Sequence, residues 1–178
     1  MRRGDWDATM NYAGFLRPAW QWLADPASAQ RYFDAPVPIP ARNGHDAAAI
    51  MRDVLAAAPW RVGARAWNFL STHDTARWRT VAGSRERQLV GAALLYTYPG
   101  APLVFAGDEG GLHGVNGEHG RRPMPWTDID AGGPRWDPVT HAAYRELGAL
   151  RRSACALRHG GLRWAAVTDD ALVFLREC

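Results

Sequence analysis

Residues 68–77 read Asn68-Phe69-Leu70-Ser71-Thr72-His73-Asp74-Thr75-Ala76-Arg77. An apolar run breaks off here in a histidine and an aspartate side by side, as expected where a buried strand delivers polar groups at its carboxyl end. The pattern recurs twice. Ala8–Asn11 leads into Asn11-Tyr12, and Leu103–Ala106 leads into Asp108-Glu109. Three short apolar strands, each closing on a polar pair, predict an α/β chain with parallel strands whose functional groups gather at one end. That is the arrangement of a (β/α)8 barrel rather than of a nucleotide-binding sheet. The glycine-rich run 107–120 carries acids and continues into prolines, where a phosphate-binding fingerprint would open a helix.

Working outward, helical patterns separate the strands. One runs from about Leu16 to Leu23, with Trp20 and Leu23 on one face, and the proline-rich DAPVPIPARNG that follows reads as loop. Asp46 is placed to cap a helix over 47–58 with Ile50, Met51, Val54 and Leu55 as its apolar stripe. Ala66–Leu70 is the second strand. Ser84 is placed to cap a helix to about Tyr96, with Leu89, Ala92, Ala93 and Tyr96 facing inward, stopped by Pro99-Gly100. Asp137-Pro138 sets a cap before a proline at the first helical position, opening a helix to about Leu157 with Tyr144, Leu147 and Leu150 buried. Beyond Gly160-Gly161, LRWAAV and ALVFLREC around Thr168-Asp169-Asp170 predict a β-hairpin.

Composition excludes several classes. The 178 residues are 47% hydrophobic and 22% charged, which fits a globular protein and not a disordered one. No apolar run approaches a membrane span, and no apolar core follows Arg2-Arg3, so neither a membrane nor a secretory route is indicated and the expected location is the cytoplasm. The net charge of +3 comes from 21 basic residues, all arginine and scattered along the chain, which argues against a nucleic-acid partner. The two cysteines, Cys155 and Cys178, show no metal spacing and no disulfide framework; the first reads as a core residue and the second as a terminal one. The six histidines show no metal-ligand spacing either, and no cofactor is expected. Nine tryptophans mostly serve a core, with two or three available for a sugar face.

NFLSTHDTAR, YTYPGAPLVFAGDEGGL and RRPMPW together resemble the seventh and eighth strand regions of the α-amylase family, glycoside hydrolase family thirteen, in its neopullulanase and maltodextrin-hydrolysing branch. RRGDWDATMNY resembles the segment entering the sixth strand. The resemblance implies the sixth to eighth βα units of a TIM barrel over residues 1–157, and over 158–178 the first hairpin of a C-terminal β domain. It implies retaining cleavage or transfer of α-1,4 glucosidic bonds, with α-1,6 bonds as the alternative, in α-glucans or maltooligosaccharides.

Retaining glycoside hydrolysis uses two carboxylates about 5 Å apart, a nucleophile and a general acid/base. On the family pattern Asp74 is neither. It is a third carboxylate that grips sugar hydroxyls and favours the transition state, with His73 donating to the same ring. Arg121 is expected to contact sugar one or two subsites away. Many relatives carry an aspartate four residues before that arginine; here Gly117 stands there, and Glu118 is the expected substitute. Tyr12 is expected to reach the cleft from the sixth strand. Arg77 and Trp126 belong either to the cleft or to packing at the barrel rim, and Asp108 and Glu109 to structure or to subsite lining. The nucleophile and acid belong to strands four and five of the family pattern, which precede anything in this sequence. The 178 residues alone are therefore expected to be inactive, with the N-terminal half of the barrel or another chain as partner. The alternative is a catalytically silent fragment that binds maltooligosaccharides or another protein.

Overall fold

A computed structural model describes residues 8–27 and 38–178. The acids Asp5 and Asp7 and part of the proline-rich loop lie outside the described residues. The order is a π-helical turn Tyr12–Leu16 running into α1 (Arg17–Leu23), α2 (Gly44–Ala56), α3 (Trp60–Gly63), β1 (Trp67–Asn68), α4 (Trp78–Ala82), α5 (Arg85–Thr97) and β2 (Ala101–Pro102). There follow a 3-10 turn Asp108–Gly110, α6 (Gly117–Gly120), α7 (Trp126–Ala131), α8 (Pro138–Ser153), α9 (Cys155–His159), β3 (Gly161–Val167) and β4 (Leu172–Glu177).

The predicted parallel strands are present but short. Met10 bridges Trp67 in parallel, and β1 pairs in parallel with β2, Trp67 opposite Ala101 and Asn68 opposite Pro102. The third strand thus pairs ahead of the predicted Leu103–Ala106; past Leu103, whose N–H still reaches the Asn68 carbonyl at 2.8 Å, the run follows no neighbour among the described residues. An interior strand of a sheet has a partner on each side and an edge strand only one. Among the described residues neither Met10 nor β2 has a second one. Side-chain amides link the strands: the half-buried Asn11 donates to the side chain of the buried Asn68, and Asn68 to the Pro99 carbonyl just before β2, both at 2.8 Å.

Helix starts follow cap chemistry. Ser84 accepts from the Arg87 N–H, and Asp137 from those of Val139 and Thr140 with Pro138 next, as expected. At α2 the cap is Asn43, whose side chain accepts from the Asp46 N–H, so Asp46 sits in the first turn rather than before it. Two inward faces differ from expectation. In α5 the buried set is Gln88, Gly91, Ala92, Leu94 and Leu95, because Gly91 lets the helix lie directly on the Trp78 ring; Leu89, Ala93 and Tyr96 are half-buried. In α8 Thr140 and Tyr144 are buried, Leu147 is half-buried and Leu150 is half exposed. That helix ends at Ser153, and α9 follows after Ala154.

The core gathers Phe15, Leu16, Trp20, Met51, Phe69, Trp78 and Tyr98 between β1 and the helices. Their polar tips are paired, as buried rings require: Trp20 Nε1 donates to the Leu70 carbonyl, Trp78 Nε1 to that of Gln88, and the Tyr98 hydroxyl to that of Met51. The β3–β4 hairpin is antiparallel, and its Leu162, Trp164 and Phe174 pack on this core. Arginines close the structure from outside: Arg151 and Arg176 donate to the Tyr96 and Thr97 carbonyls at the end of α5.

The cysteines overturn the reading made from spacing. Cys155 is exposed and bonded to Cys178, Cα to Cα 6.3 Å, tying the start of α9 to the end of β4. Twenty-three residues separate them, and only the return of the hairpin onto α9 brings them together.

Candidate functional site

The site is built where β1 ends. The hydroxyl of Thr72 accepts from the Asp74 N–H at 3.2 Å, and that of Thr75 accepts from the Thr72 N–H at 2.9 Å. These two local bonds fold the chain into a tight turn with Thr75 fully buried beneath it. The turn pushes His73 and Asp74 into the open, with side chains 64% and 57% exposed and His73 Nε2 3.3 Å from Asp74 Oδ1. An exposed imidazole and carboxylate, fixed by a buried turn, present a donor and an acceptor to the same side.

Gly117 lies against this turn. A Cβ at that position would stand 2.7 Å from the His73 carbonyl oxygen and 3.3 Å from the Asp74 Cα. The loop that carries Glu118 and Arg121 is therefore brought directly onto the backbone of the His73-Asp74 pair. Within it the Asn116 side chain caps α6 by accepting from the His119 N–H at 2.7 Å, and the Arg121 guanidinium donates to the Glu118 carboxylate. Tyr12 meets Phe69 edge-on, ring centroids 4.6 Å apart, at the end of the neighbouring strand.

Beneath the turn lies a buried ion pair. Arg77 Nη1 is 3.1 Å from Asp108 Oδ1, both side chains under 5% exposed at 3% and 4%, and the Ser71 hydroxyl donates to the other carboxylate oxygen. Arg77 also sends Nε and Nη2 to the Gly120 carbonyl, at 3.0 and 2.7 Å, and lies 4.3 Å over the Phe105 ring. Burial pushes the Asp108 carboxyl up to about 6, against the hydrogen bond from Ser71 and the charge of Arg77. Arg77 thus packs inside the structure and is not placed to meet a ligand. Glu109 is also engaged, accepting from the Gly107 N–H at 2.8 Å.

Next to the pair a cleft of about 610 Å³ opens between Leu112, His113, Arg122, Met124 and Trp126, with Trp126 65% exposed beside it. Among the described residues no group of three or more His, Cys, Asp or Glu is placed to hold a metal ion.

The chain is 33% identical over 170 residues to a cyclomaltodextrinase of Geobacillus thermopakistaniensis, covering 94% of the chain and 26% of the relative. It is 36% identical over 102 residues to neopullulanase 2 of Thermoactinomyces vulgaris, covering 56% and 17%. The crystal structure of the debranching enzyme from Nostoc punctiforme superposes on 100% of the chain with a TM-score of 0.84 and 28% identity. The chain belongs to the α-amylase family.

This α-amylase-family chain spans between about a sixth and a quarter of the length of these two curated relatives, at 17% and 26%, and 36% of the solved enzyme. No protein-family model matches it. The αβ architecture and short parallel strands agree with part of a TIM barrel, the fold of the family. Among the described residues no helix is long and apolar enough to cross a membrane. Of the residues singled out in the sequence as sugar-facing, His73 and Asp74 share one exposed turn, the loop carrying Glu118 and Arg121 touches the backbone of that turn at Gly117, and Tyr12 stands on the adjoining strand end. Sequence reading missed the Ser71–Asp108–Arg77 linkage under it. Its one available signal was an arginine and an aspartate both placed just past strand ends, since the bond joins residues 31 apart.

Proposed function

We propose that these 178 residues carry the sugar-gripping part of a retaining α-glucan glycoside hydrolase or transglycosidase acting on α-1,4, and with some relatives α-1,6, glucosidic bonds. The observation that carries the reading is the exposed His73-Asp74 pair, held by a buried turn at the carboxyl end of the central strand β1. There Asp74 accepts from two sugar hydroxyls and His73 donates to the same ring, interactions that strengthen as the ring flattens toward the oxocarbenium-like transition state. Arg121, Glu118 and Tyr12 contact the neighbouring sugars. The strands correspond to the sixth, seventh and eighth of the barrel, and the hairpin to the start of a C-terminal β domain.

The two carboxylates of the retaining pair are not supplied by the acids beside Asp74. Asp108 is buried and paired with Arg77, Glu109 is turned back onto the Gly107 N–H, and Glu118 is paired with Arg121. A nucleophile and a general acid/base must both face the glycosidic bond, so we assign them to the other βα units of the barrel. Those units would also cover the unpartnered edges at Met10 and β2, joined to this chain or docked from another.

The test is maltohexaose binding and release of reducing sugar by the 178-residue chain. Binding without release is expected, with Asp74→Asn weakening binding about tenfold, the effect of losing one charged hydrogen bond of about 1.5 kcal/mol. Release that disappears in Asp74→Asn would show that acids within these residues perform the chemistry and would overturn the assignment.

A further inference from the structure

The exposed His73-Asp74 pair is anchored on both sides to one buried carboxylate. Ser71, two residues before His73, donates to one oxygen of Asp108, and Arg77, three residues after Asp74, donates to the other. The same arginine grips both ends of the 114–120 loop. Its backbone N–H goes to the Gly114 carbonyl at 2.8 Å, and two of its side-chain N–H groups go to the Gly120 carbonyl. Those loop ends meet: a Cβ on Gly114 would lie 2.7 Å from the Gly120 Cα. At the far side of this pinched loop, Gly117 rests on the His73 carbonyl. Asp108 is itself held from below, its backbone carbonyl accepting from Gln88 Nε2 at 2.7 Å.

We infer that Arg77 is a positioning residue, which through Asp108 and the Gly120 carbonyl fixes the His73-Asp74 turn and the Arg121-bearing loop in one geometry for a sugar bound across them. The inference rests on the α-glucan reading above and deepens it. The guanidinium is required because its donors point in fixed, different directions in one plane. The ammonium of a lysine is a point charge, able to face Asp108 or the Gly120 carbonyl but without a fork to hold both. The Phe105 face 4.3 Å away also matches a planar cation. Arg77 is 2% exposed, so it acts through the loops and touches no sugar.

The test compares the unaltered 178-residue chain with Arg77→Lys and Ser71→Ala. Maltohexaose binding is followed through the His73 ring resonances, and amide hydrogen exchange is followed residue by residue. Arg77→Lys is expected to keep its charge and its fold while exchange speeds up at least tenfold in segments 72–77 and 114–121 and stays unchanged in α8. Affinity for maltohexaose is expected to fall at least fivefold. Ser71→Ala, which leaves Arg77 in place, is expected to loosen the 72–74 turn alone, and it carries the test should Arg77→Lys fail to fold. Exchange and affinity unchanged in the variants, or exchange accelerated uniformly through α5 and α8, overturns the inference, since a general loss of stability would act everywhere. If the unaltered chain shows no response to maltohexaose, the α-glucan reading fails, and the exchange pattern still decides whether Arg77 sets the two loops.

Discussion

Replacing Gly117 by alanine sets two physical effects of opposite sign against one another. Alanine restricts the unfolded chain and by itself stabilises by about 0.4–1 kcal/mol where the backbone conformation suits it. Gly117 opens α6 and has no positive φ, so nothing in the backbone forbids alanine there. The close approach decides otherwise. A Cβ would stand 2.7 Å from the His73 carbonyl oxygen, about 0.6 Å inside the usual C···O approach of roughly 3.3 Å. The atom struck belongs to the backbone of a turn locked by Thr72 and Thr75, so it cannot rotate away. Overpacking of this kind costs about 1–3 kcal/mol, which leaves a net loss of about 1.3 kcal/mol at mid-range and about 2.6 at most. For a chain of this size the mid-range loss lowers the melting temperature by roughly 3–5 °C. Gly120 is the control three residues on, where a Cβ would meet the Thr75 carbonyl at an ordinary 3.6 Å. Thermal unfolding of Gly117→Ala beside Gly120→Ala reads the difference directly, the first melting lower and the second unchanged or higher. Equal melting of the two variants would refute the argument that Gly117 is there to let the loop reach the His73-Asp74 turn.

Asp137→Ala removes both the cap of α8 and the carboxylate shared by Arg79 and Arg85, and urea unfolding at neutral pH is expected to show a loss of about 2–4 kcal/mol. Burial raises the Asp137 carboxyl, but hydrogen bonds from Arg85, Thr140 and Arg79 outweigh it and hold the group well below its ordinary value. Its stabilisation is therefore present above about pH 4 and lost as the pH falls below, a loss that calorimetry should find diminished in the variant. Asp108 behaves in the opposite sense: its folded value near 6 lies above the ordinary 3.8, so its contribution is present below about pH 4 and is lost as the pH rises through 6. Carboxyl carbon NMR should place its titration near 6, and Asp108→Asn should remove that part of the pH dependence. Reduction of Cys155–Cys178, which closes a short loop, is expected to lower stability by about 3 kcal/mol, seen as a lower melting temperature with a thiol reductant present. Counting free thiols in protein drawn straight from the cell tests the compartment as well, since a reducing cytoplasm would leave two.

What could be read from the sequence was local. Ser84, Asp137-Pro138 and the Thr168–Asp170 turn announce their elements because a cap or a turn needs only a few adjacent residues. The polar pairs at strand ends, His73-Asp74 among them, were legible for the same reason, whereas Glu118 and Arg121 were reached only through the family resemblance. Whatever depends on distant partners was not. Where a strand stops depends on how far its neighbour runs beside it, so LVFA reads as a strand and yet pairs only up to Leu103. The inward face of α5 is set by Trp78, a ring on another helix seated on Gly91. Arg77 looks like any surface arginine until Asp108 and Gly120 are brought under it, and Cys155 meets Cys178 only after the hairpin has turned back.

That hairpin reaches further than its own two strands. The carbonyl of Asp169, in its turn, accepts from the Gly44 N–H at 2.7 Å, at the first residue of α2, and from Trp22 Nε1 at 3.0 Å. The second of these bonds joins residues 147 apart. On a ribosome adding about 5–20 residues per second, α1 and α2 would wait roughly 7 to 30 s for the turn that completes them. Through that interval the indole N–H of Trp22 and the Gly44 N–H have only water as their partner, while Asn43 already caps the rest of the first turn of α2. Within these residues the later segment seals the earlier ones, so an interruption of synthesis before Asp169 leaves α1 and α2 unfinished and open to the wrong contacts.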